Sequence, residues 1–286
     1  MPESGMASGV VVAVLGAALL HAGWNALIRG AGDKGLYTLL LHACSGLLAI
    51  PAVLILGLPD PASWPYVLAS AAIHTVYIVW LMRAYDGGQL ALSYTLMRGV
   101  PPLLVAMLAV PMLGEMPKAQ GWFGILCLSA GVLGIGFAGG QTPRHLISHP
   151  ASRAALQNAL AIAAYTLVDG IGARQSGNPL AYACCLFALE PWIALALGYR
   201  RHGGEMLAYF RRRWPIGLLG ALCSTAAYAI VLWAMTQAPV GMVAALRESS
   251  VVLAVLIGYL VFREGRLRTG VLAGCTVLLG IFLIKA

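Results

Sequence analysis

Ten stretches of apolar residues, each about as long as a bilayer core is thick, follow one another along the chain with short polar breaks between them. They cover residues 6–28, 35–57, 64–85, 89–113, 119–138, 153–174, 179–199, 214–235, 239–262 and 267–284. A hydrocarbon core about 30 Å thick needs roughly 20 apolar residues per helix. A transmembrane barrel would instead show alternating strands of about ten residues, and these runs are continuous. The pattern therefore predicts an all-α integral membrane protein with ten transmembrane helices. The eighth and ninth runs separate only at Gln237-Ala238-Pro239, where proline suits the first turn of a new helix.

Composition sharpens the class. Of 286 residues, 60% are apolar and 10% charged, against about 45–50% and 25% in soluble domains; the mean hydropathy is +0.84. A soluble globule of this size cannot hide that much apolar side chain, which excludes a soluble enzyme or a nucleic-acid-binding domain. The net charge of +8 gathers at the ends of spans, with Arg200, Arg201, Arg211, Arg212 and Arg213 between the seventh and eighth. Loops after the odd-numbered spans hold 13 basic residues, and the opposite side holds 3, Lys118, Arg174 and Lys285. By the positive-inside rule this places both termini outside the cytoplasm. The first span lacks a basic n-region and is too long for a cleaved signal. All six cysteines fall within spans and no CxxC pair occurs, so they read as small packing residues.

The two halves of the chain resemble each other. Shifted by 149 positions, Arg98 falls on Arg247, Leu104 on Leu253, Glu115 on Glu264, Gly121 on Gly270, Gly131 on Gly280 and Ile135 on Ile284. A shift of 141 brings Trp24 of the first span onto Tyr165 of the sixth. The expected organisation is a first five-helix repeat over 1–138, a connecting loop over 139–152 and a second repeat over 153–286. Five is odd, so the second copy crosses the membrane in the opposite sense. Such inverted repeats are a transporter design, in which two similar halves expose a midplane site to each side in turn.

Two five-helix halves, the aromatics Trp24 and Tyr165, and the Gly114-Glu115 pair ending span four resemble the drug/metabolite transporter superfamily, EamA type. The most family-like stretch is AYDGGQLALSYTLMRGVPPLLVAML, residues 84–108. Span nine departs from the pattern, with Arg263-Glu264 where span four has Gly114-Glu115. The resemblance leans toward bacterial metabolite exporters, including YddG-like aromatic amino-acid exporters. It implies a multi-pass protein of the bacterial inner membrane with cytoplasmic termini, against the orientation given by the charge count.

Charges at mid-membrane depth cost roughly 2.5–3.5 kcal/mol each on insertion scales. Four stand out: Arg98, Asp169, Arg247 and Glu248. The repeat places the arginines at matching depths, where a guanidinium can clamp a carboxylate or phosphate at two points; the alternative is that they pair with Asp169 and Glu248 and merely tie helices together. Pro101 and Pro102 remove two helix donors beside Arg98, freeing the carbonyls of Met97 and Arg98, and Ser249 and Ser250 can loosen span nine beside Arg247. These four are candidate hinge residues, the alternative being an ordinary packing kink. Helical spacing gathers further candidates: Trp24 and Asn25 with His21 on span one, His74 and Tyr77 on span three, Tyr94 four residues before Arg98, Tyr165 four before Asp169, and Tyr228 midway along span eight. Each can be packing; together they suggest a cavity with aromatic walls and polar anchors, suited to an amphipathic molecule. Glu115 and Glu264 read as caps of spans five and ten. Trp64, Trp192 and Trp214 read as interfacial belt residues. Glu190, just before Pro191 in span seven, receives no role from the sequence.

Other chemistries find little footing. Residues 134–139 match GxGxxG but end an apolar span instead of following a strand, so they read as close helix packing, as does Gly270-xxx-Gly274. His145 and His149 lack the neighbours a metal would need. There is no P-loop, hence no ATP, and no cofactor, metal or nucleic-acid partner is expected. A membrane enzyme would have to rest on Asp169 with Glu248, or on a serine beside His74, neither a recognised spacing. The sequence thus predicts no enzyme but a secondary transporter, a probable exporter of small amphipathic metabolites, amino acids including aromatic ones foremost. The rival reading is a proton-coupled organic-cation or drug exporter with Asp169 and Glu248 as proton-exchanging acids. Its partners would be its substrate and the lipid bilayer, and a monomer could suffice.

Overall fold

The structure is a computed structural model and describes residues 6–86, 90–137, 149–260 and 267–285. Within them every regular element is helical. α1 spans Ser8–Gly30, α2 Lys34–Leu56, α3 Trp64–Asp86, α4 Leu90–Gly99, α5 Pro101–Leu113 and α6 Ala119–Phe137. α7 spans Pro150–Gln175, α8 Pro179–Leu189, α9 Pro191–His202, α10 Gly204–Gln237, α11 Val240–Arg247, α12 Ser250–Leu260 and α13 Leu267–Lys285. Among the described residues nine helical segments are long and apolar enough to cross a membrane, and Val271–Lys285 forms a shorter apolar one. The outward-turned side chains are oily, as lipid contact requires: Leu54 and Ile55 are more than four-fifths exposed, and Leu272 and Phe282 about two-thirds.

Local chemistry sets the ends of these helices. Asp33 accepts a hydrogen bond from the Leu36 amide at 2.9 Å to start α2, and Asn178 accepts from Leu180 and Ala181 at 3.0 and 3.3 Å to start α8, both as N-caps do. Prolines occupy the first turn of α5, α7, α8 and α9, where a missing N–H costs nothing. Gly114 closes α5 in the left-handed conformation, φ +67°, which a side chain would resist.

Among the described residues three of the ten apolar runs are interrupted. Span four breaks at Val100, between α4 and α5, beside the proline pair; span nine breaks at Glu248-Ser249, between α11 and α12; span seven breaks at Glu190, between α8 and α9. In span nine the backbone tightens to three-residue turns, with Ser249 N–H on Leu246 O at 3.1 Å and Val251 N–H on Glu248 O at 3.0 Å. The first two breaks fall beside the candidate hinge residues Pro101, Pro102, Ser249 and Ser250. The third was not foreseen, although Pro191 carries the signal for it.

Hydrogen bonds sort the connections into two faces. On the first face, Asp60 N–H meets Ser176 O at 3.0 Å, and Glu115 meets Arg174 at 2.5 Å. On the second, the Tyr37 hydroxyl donates to Ile216 O at 2.9 Å, and the Tyr209 hydroxyl reaches Asp33 O at 3.5 Å. The principal helix pairs are α6 with α13, α3 with α7, α1 with α10, α2 with α8, α4 with α6 and α2 with α10, followed by α5 with α11. The α5–α11 contact lies between the breaks and the first face. Among the described residues α4 and α12, which lie between the breaks and the second face, make no comparable contact.

Glycines permit the closest pair. On α6, Gly124 faces Gly280 and Ile284, and Gly131 faces Ala273 and Val277; removing side chains lets two backbones approach in the absence of a hydrophobic drive between helices. Of the close helix packing expected at residues 134–139, Gly136 lies tightly against Thr95 and Leu92 of α4 while Gly134 meets open space; Gly274 contacts only Val252. Two other readings need correction. Trp192 is in the first turn of α9, at the mid-span break, where its indole N–H donates to Ala188 O at 2.6 Å, so it is not an interfacial belt residue. Glu115 caps α11 instead of span five, accepting the Val240 amide at 2.7 Å. Glu264 and His145 lie outside the described residues.

Arg174 completes the Glu115 contact by donating to Met235 O at 2.7 Å and Ala238 O at 3.0 Å. Two side chains thus join the ends of α5, α7, α10 and α11 on the first face. Glu115→Ala is expected to speed hydrogen exchange at residues 240–243 by about tenfold, the loss of one charge-assisted bond of about 1.4 kcal/mol. Exchange along the α6–α13 contact should stay as in the parent protein. Exchange-mass spectrometry in detergent reads both segments, and equal rates at 240–243 would show that the cap carries no weight.

Candidate functional site

Arg98 ends α4 and Arg247 ends α11, each in the last helical turn. Glu248 follows at the break itself. A helix C-terminus carries partial negative charge and favours a cation, and a helix N-terminus favours an anion. The breaks therefore offer buried charges partial compensation that a continuous helix would not. Glu248, 1% exposed, accepts from Arg247 Nε and Nη2 at 3.2 and 3.1 Å, and Arg98 Nη1 lies 3.8 Å from the same oxygen, Oε1. Arg98 Nη2 also donates to His21 Nε2 at 2.6 Å; a guanidinium cannot accept, so this ring nitrogen must. The Arg98 guanidinium lies 5.7 Å from the centre of the Tyr94 ring. Two cations share one carboxylate, leaving a formal surplus of one positive charge.

Both arginines line a cavity of about 100 Å³. On α1, α2 and α3 its lining is concentrated between mid-membrane depth and the second face, among them Trp24, Ile28, Thr38, His42, Tyr77 and Leu81. One wall is aromatic. His74 stacks on Tyr165 with centroids 4.2 Å apart, Tyr77 and Tyr228 meet His74 edge-on at 6.1 and 6.3 Å, and Phe187 meets Tyr228 edge-on at 5.6 Å. These offset and edge-on arrangements suit the ring quadrupole. α3, α7, α8 and α10 contribute one or two rings each, so the wall exists only where they converge.

Of the residues singled out in the sequence, Trp24, His74, Tyr77, Arg98, Tyr165, Tyr228 and Arg247 line this cavity. Asn25, Tyr94, Asp169 and Glu248 are not among its lining residues. Asn25 turns its amide onto His21 O, one turn back along its own helix, at 2.8 Å. Asp169 is fully buried and accepts from the Tyr182 hydroxyl at 2.7 Å and from the Tyr228 hydroxyl. The pairing of both arginines with Glu248 is found; Asp169 takes tyrosine partners instead. Among the lining residues that the sequence reading gave no part in the site are Glu190, His42 and Phe187, and it did not foresee His21 as a partner of Arg98. The one available signal was Glu190 itself, a charge at mid-membrane depth beside a proline.

Asp169 therefore acts as a tie between α7, α8 and α10. Asp169→Ala strands the buried Tyr182 hydroxyl and frees the half-buried one of Tyr228, and is expected to cost about 1–3 kcal/mol for the buried group left unpaired. Asp169→Asn keeps an acceptor and should cost less. Thermal unfolding in detergent, followed by tryptophan fluorescence, is expected to rank parent above Asn above Ala. Equal midpoints for parent and Ala would contradict the tie.

No family model and no curated protein matches the sequence. A solved structure, described only as the crystal structure of a protein, is similar with a TM-score of 0.75 and 20% identity, over 96% of this chain and 98% of that one. At that identity the likeness shows the fold alone, a fold that spans essentially both chains.

Proposed function

We propose that this chain is a secondary transporter of small amphipathic metabolites, amino acids including aromatic ones foremost, working by alternating access. On this reading it is a drug/metabolite transporter of the EamA type, built as two inverted five-helix repeats in a bacterial inner membrane. The observation that carries the reading is one cavity at mid-membrane depth, walled by aromatic rings, into which two helix breaks deliver two arginines. Three features support it further. The breaks beside Arg98 and Arg247 fall at the same position under the 149-residue shift. Several of the principal helix pairs also survive exchange of the halves: α3 with α7 answers α1 with α10, while α6 with α13 and α2 with α8 answer themselves; α4 with α6 and α2 with α10 have only weaker counterparts. Finally, the α5–α11 contact toward the first face has no counterpart between α4 and α12, as an arrangement closed on one side would have.

In this mechanism the aromatic wall takes the apolar part of the substrate and the guanidiniums its carboxylate. Arg247 commits Nε and Nη2 to Glu248, and the net positive charge of the trio gives an incoming carboxylate its attraction. Water exclusion from the closed side strengthens that attraction. Exchange of the two halves' conformations would open the first face by parting α5 from α11 and breaking the Glu115–Arg174 tie. The organic-cation alternative draws less support, because the cavity presents two guanidiniums while Asp169 and Glu248 are engaged elsewhere.

Uptake of radiolabelled amino acids into proteoliposomes tests the reading. Saturable uptake of at least one amino acid is expected, and Arg98→Ala or Arg247→Ala should lower it more than tenfold while the protein still elutes as a folded species. Arg98→Lys and Arg247→Lys keep the charge but lose the two-point fork, and should recover uptake only partly. Normal transport by both alanine variants would end the clamp proposal, and no uptake of any amino acid would end the substrate class.

A further inference from the structure

Glu190 is the one cavity-lining carboxylate among the described residues. It occupies the break in span seven, ending α8 and preceding Pro191 at the start of α9, and it is 5% exposed. Its neighbours of opposite charge are two imidazoles. His42 Nδ1 from α2 lies 3.4 Å from Oε1, and His74 Nδ1 from α3 lies 3.9 Å from Oε2. Neither contact is a hydrogen bond: His42 Nδ1 and Glu190 Oε2 are both buried without a hydrogen-bond partner. His74 Nδ1 instead lies 2.9 Å from Ser70 O. A carbonyl only accepts, so that nitrogen carries a hydrogen. Among the described residues no lysine or arginine forms an ion pair with Glu190.

This separates Glu190 from the other two buried acids. Glu248 is balanced by two guanidiniums, which keep their charge at every working pH. Asp169 is held by two tyrosine hydroxyls that do not titrate near neutrality, with His74 acting on it as well. Glu190 is balanced only while an imidazole holds a proton, and imidazole is the side chain whose charge changes near neutral pH. A buried carboxylate left alone is strongly disfavoured. Glu190, His42 and His74 are therefore electrically neutral with one shared proton and carry a negative charge without it. The remaining groups around them are Ser70 and Tyr77 on α3, Tyr165 and Asp169 on α7, and Tyr228 on α10; Arg98 of α4, Arg247 of α11 and His21 of α1 belong to the lining of the same cavity. His42, His74 and Glu190 all line that cavity.

We infer that Glu190, His42 and His74 form a one-proton exchange site that couples substrate movement to the proton gradient. The inference rests on the transport reading for its use, though not for its existence. The proton is taken from water in the cavity onto the shared imidazole–carboxylate pair. It is returned to water after the cavity has changed sides, and no other reactant is consumed.

Two readouts test it separately. In the full-length protein labelled with [15N]histidine in lipid nanodiscs, the His42 and His74 ring signals are expected to report one shared protonation step. Glu190→Gln should displace both midpoints; His42→Gln, a second variant in case the first fails to fold, should displace that of His74. Midpoints unmoved by either change would overturn the site. In proteoliposomes containing a trapped pH dye, about one proton is expected to move per L-phenylalanine in the parent protein, and none in Glu190→Gln, whatever its remaining rate. Transport by the parent without proton movement would overturn the coupling. A parent that moves no amino acid at all would count against the transport reading, while the histidine titration would still decide whether the shared-proton site exists.

Discussion

The contact on which the central architecture turns is the sharing of Glu248 between Arg98 and Arg247. Three charges at this depth are tolerated because each meets another and because the helices that carry them stop there. Arg98 and Arg247 sit where α4 and α11 end and the backbone is locally negative, while Glu248 sits just ahead of α12, where it is locally positive. A continuous helix in either span would take this support away. The cost of the charges and the breaking of the helices are thus two sides of one arrangement. A helix broken in mid-membrane is tolerated only where protein or a wet cavity receives its free backbone groups, so the cavity follows from the same constraint.

Around that centre the two faces differ. Toward the first face, α5 lies on α11, and Glu115 with Arg174 gathers the ends of four helices through bonds to backbone groups as well as to each other. Toward the second face, α1, α2 and α3 line the cavity. The ties on the first face are few, polar and located at helix ends, unlike the glycine-lined seam of α6 and α13, whose backbones are in contact. On the transport reading this division of labour is what two conformations need: a seam that stays fixed and a closure that a handful of hydrogen bonds can release.

The buried acids illustrate how environment sorts identical chemistry. Asp169, Glu190 and Glu248 are all carboxylates at mid-membrane depth and all nearly inaccessible. Tyrosines hold the first, arginines the last, and histidines the one between. Only the partner decides whether the group ties helices, balances a fixed charge or exchanges a proton.

The chain by itself determined its helical multi-pass membrane class and the places of most of its long apolar helices and buried charges, because these depend on hydropathy summed over about 20 residues and on proline and glycine acting on their immediate neighbours. It also marked seven of the cavity-lining side chains, since residues three or four apart share a helix face. The tertiary structure alone decided which face of each helix looks inward, because that depends on packing between segments far apart in sequence. Periodicity placed Asp169 one turn from Tyr165 and so beside the cavity; Tyr182, which helps take it out of that role, comes from another helix. Nothing local to Glu190 reveals His42 and His74, which lie 148 and 116 positions before it. A residue's charge can be read along the chain, but its partner is supplied by the fold.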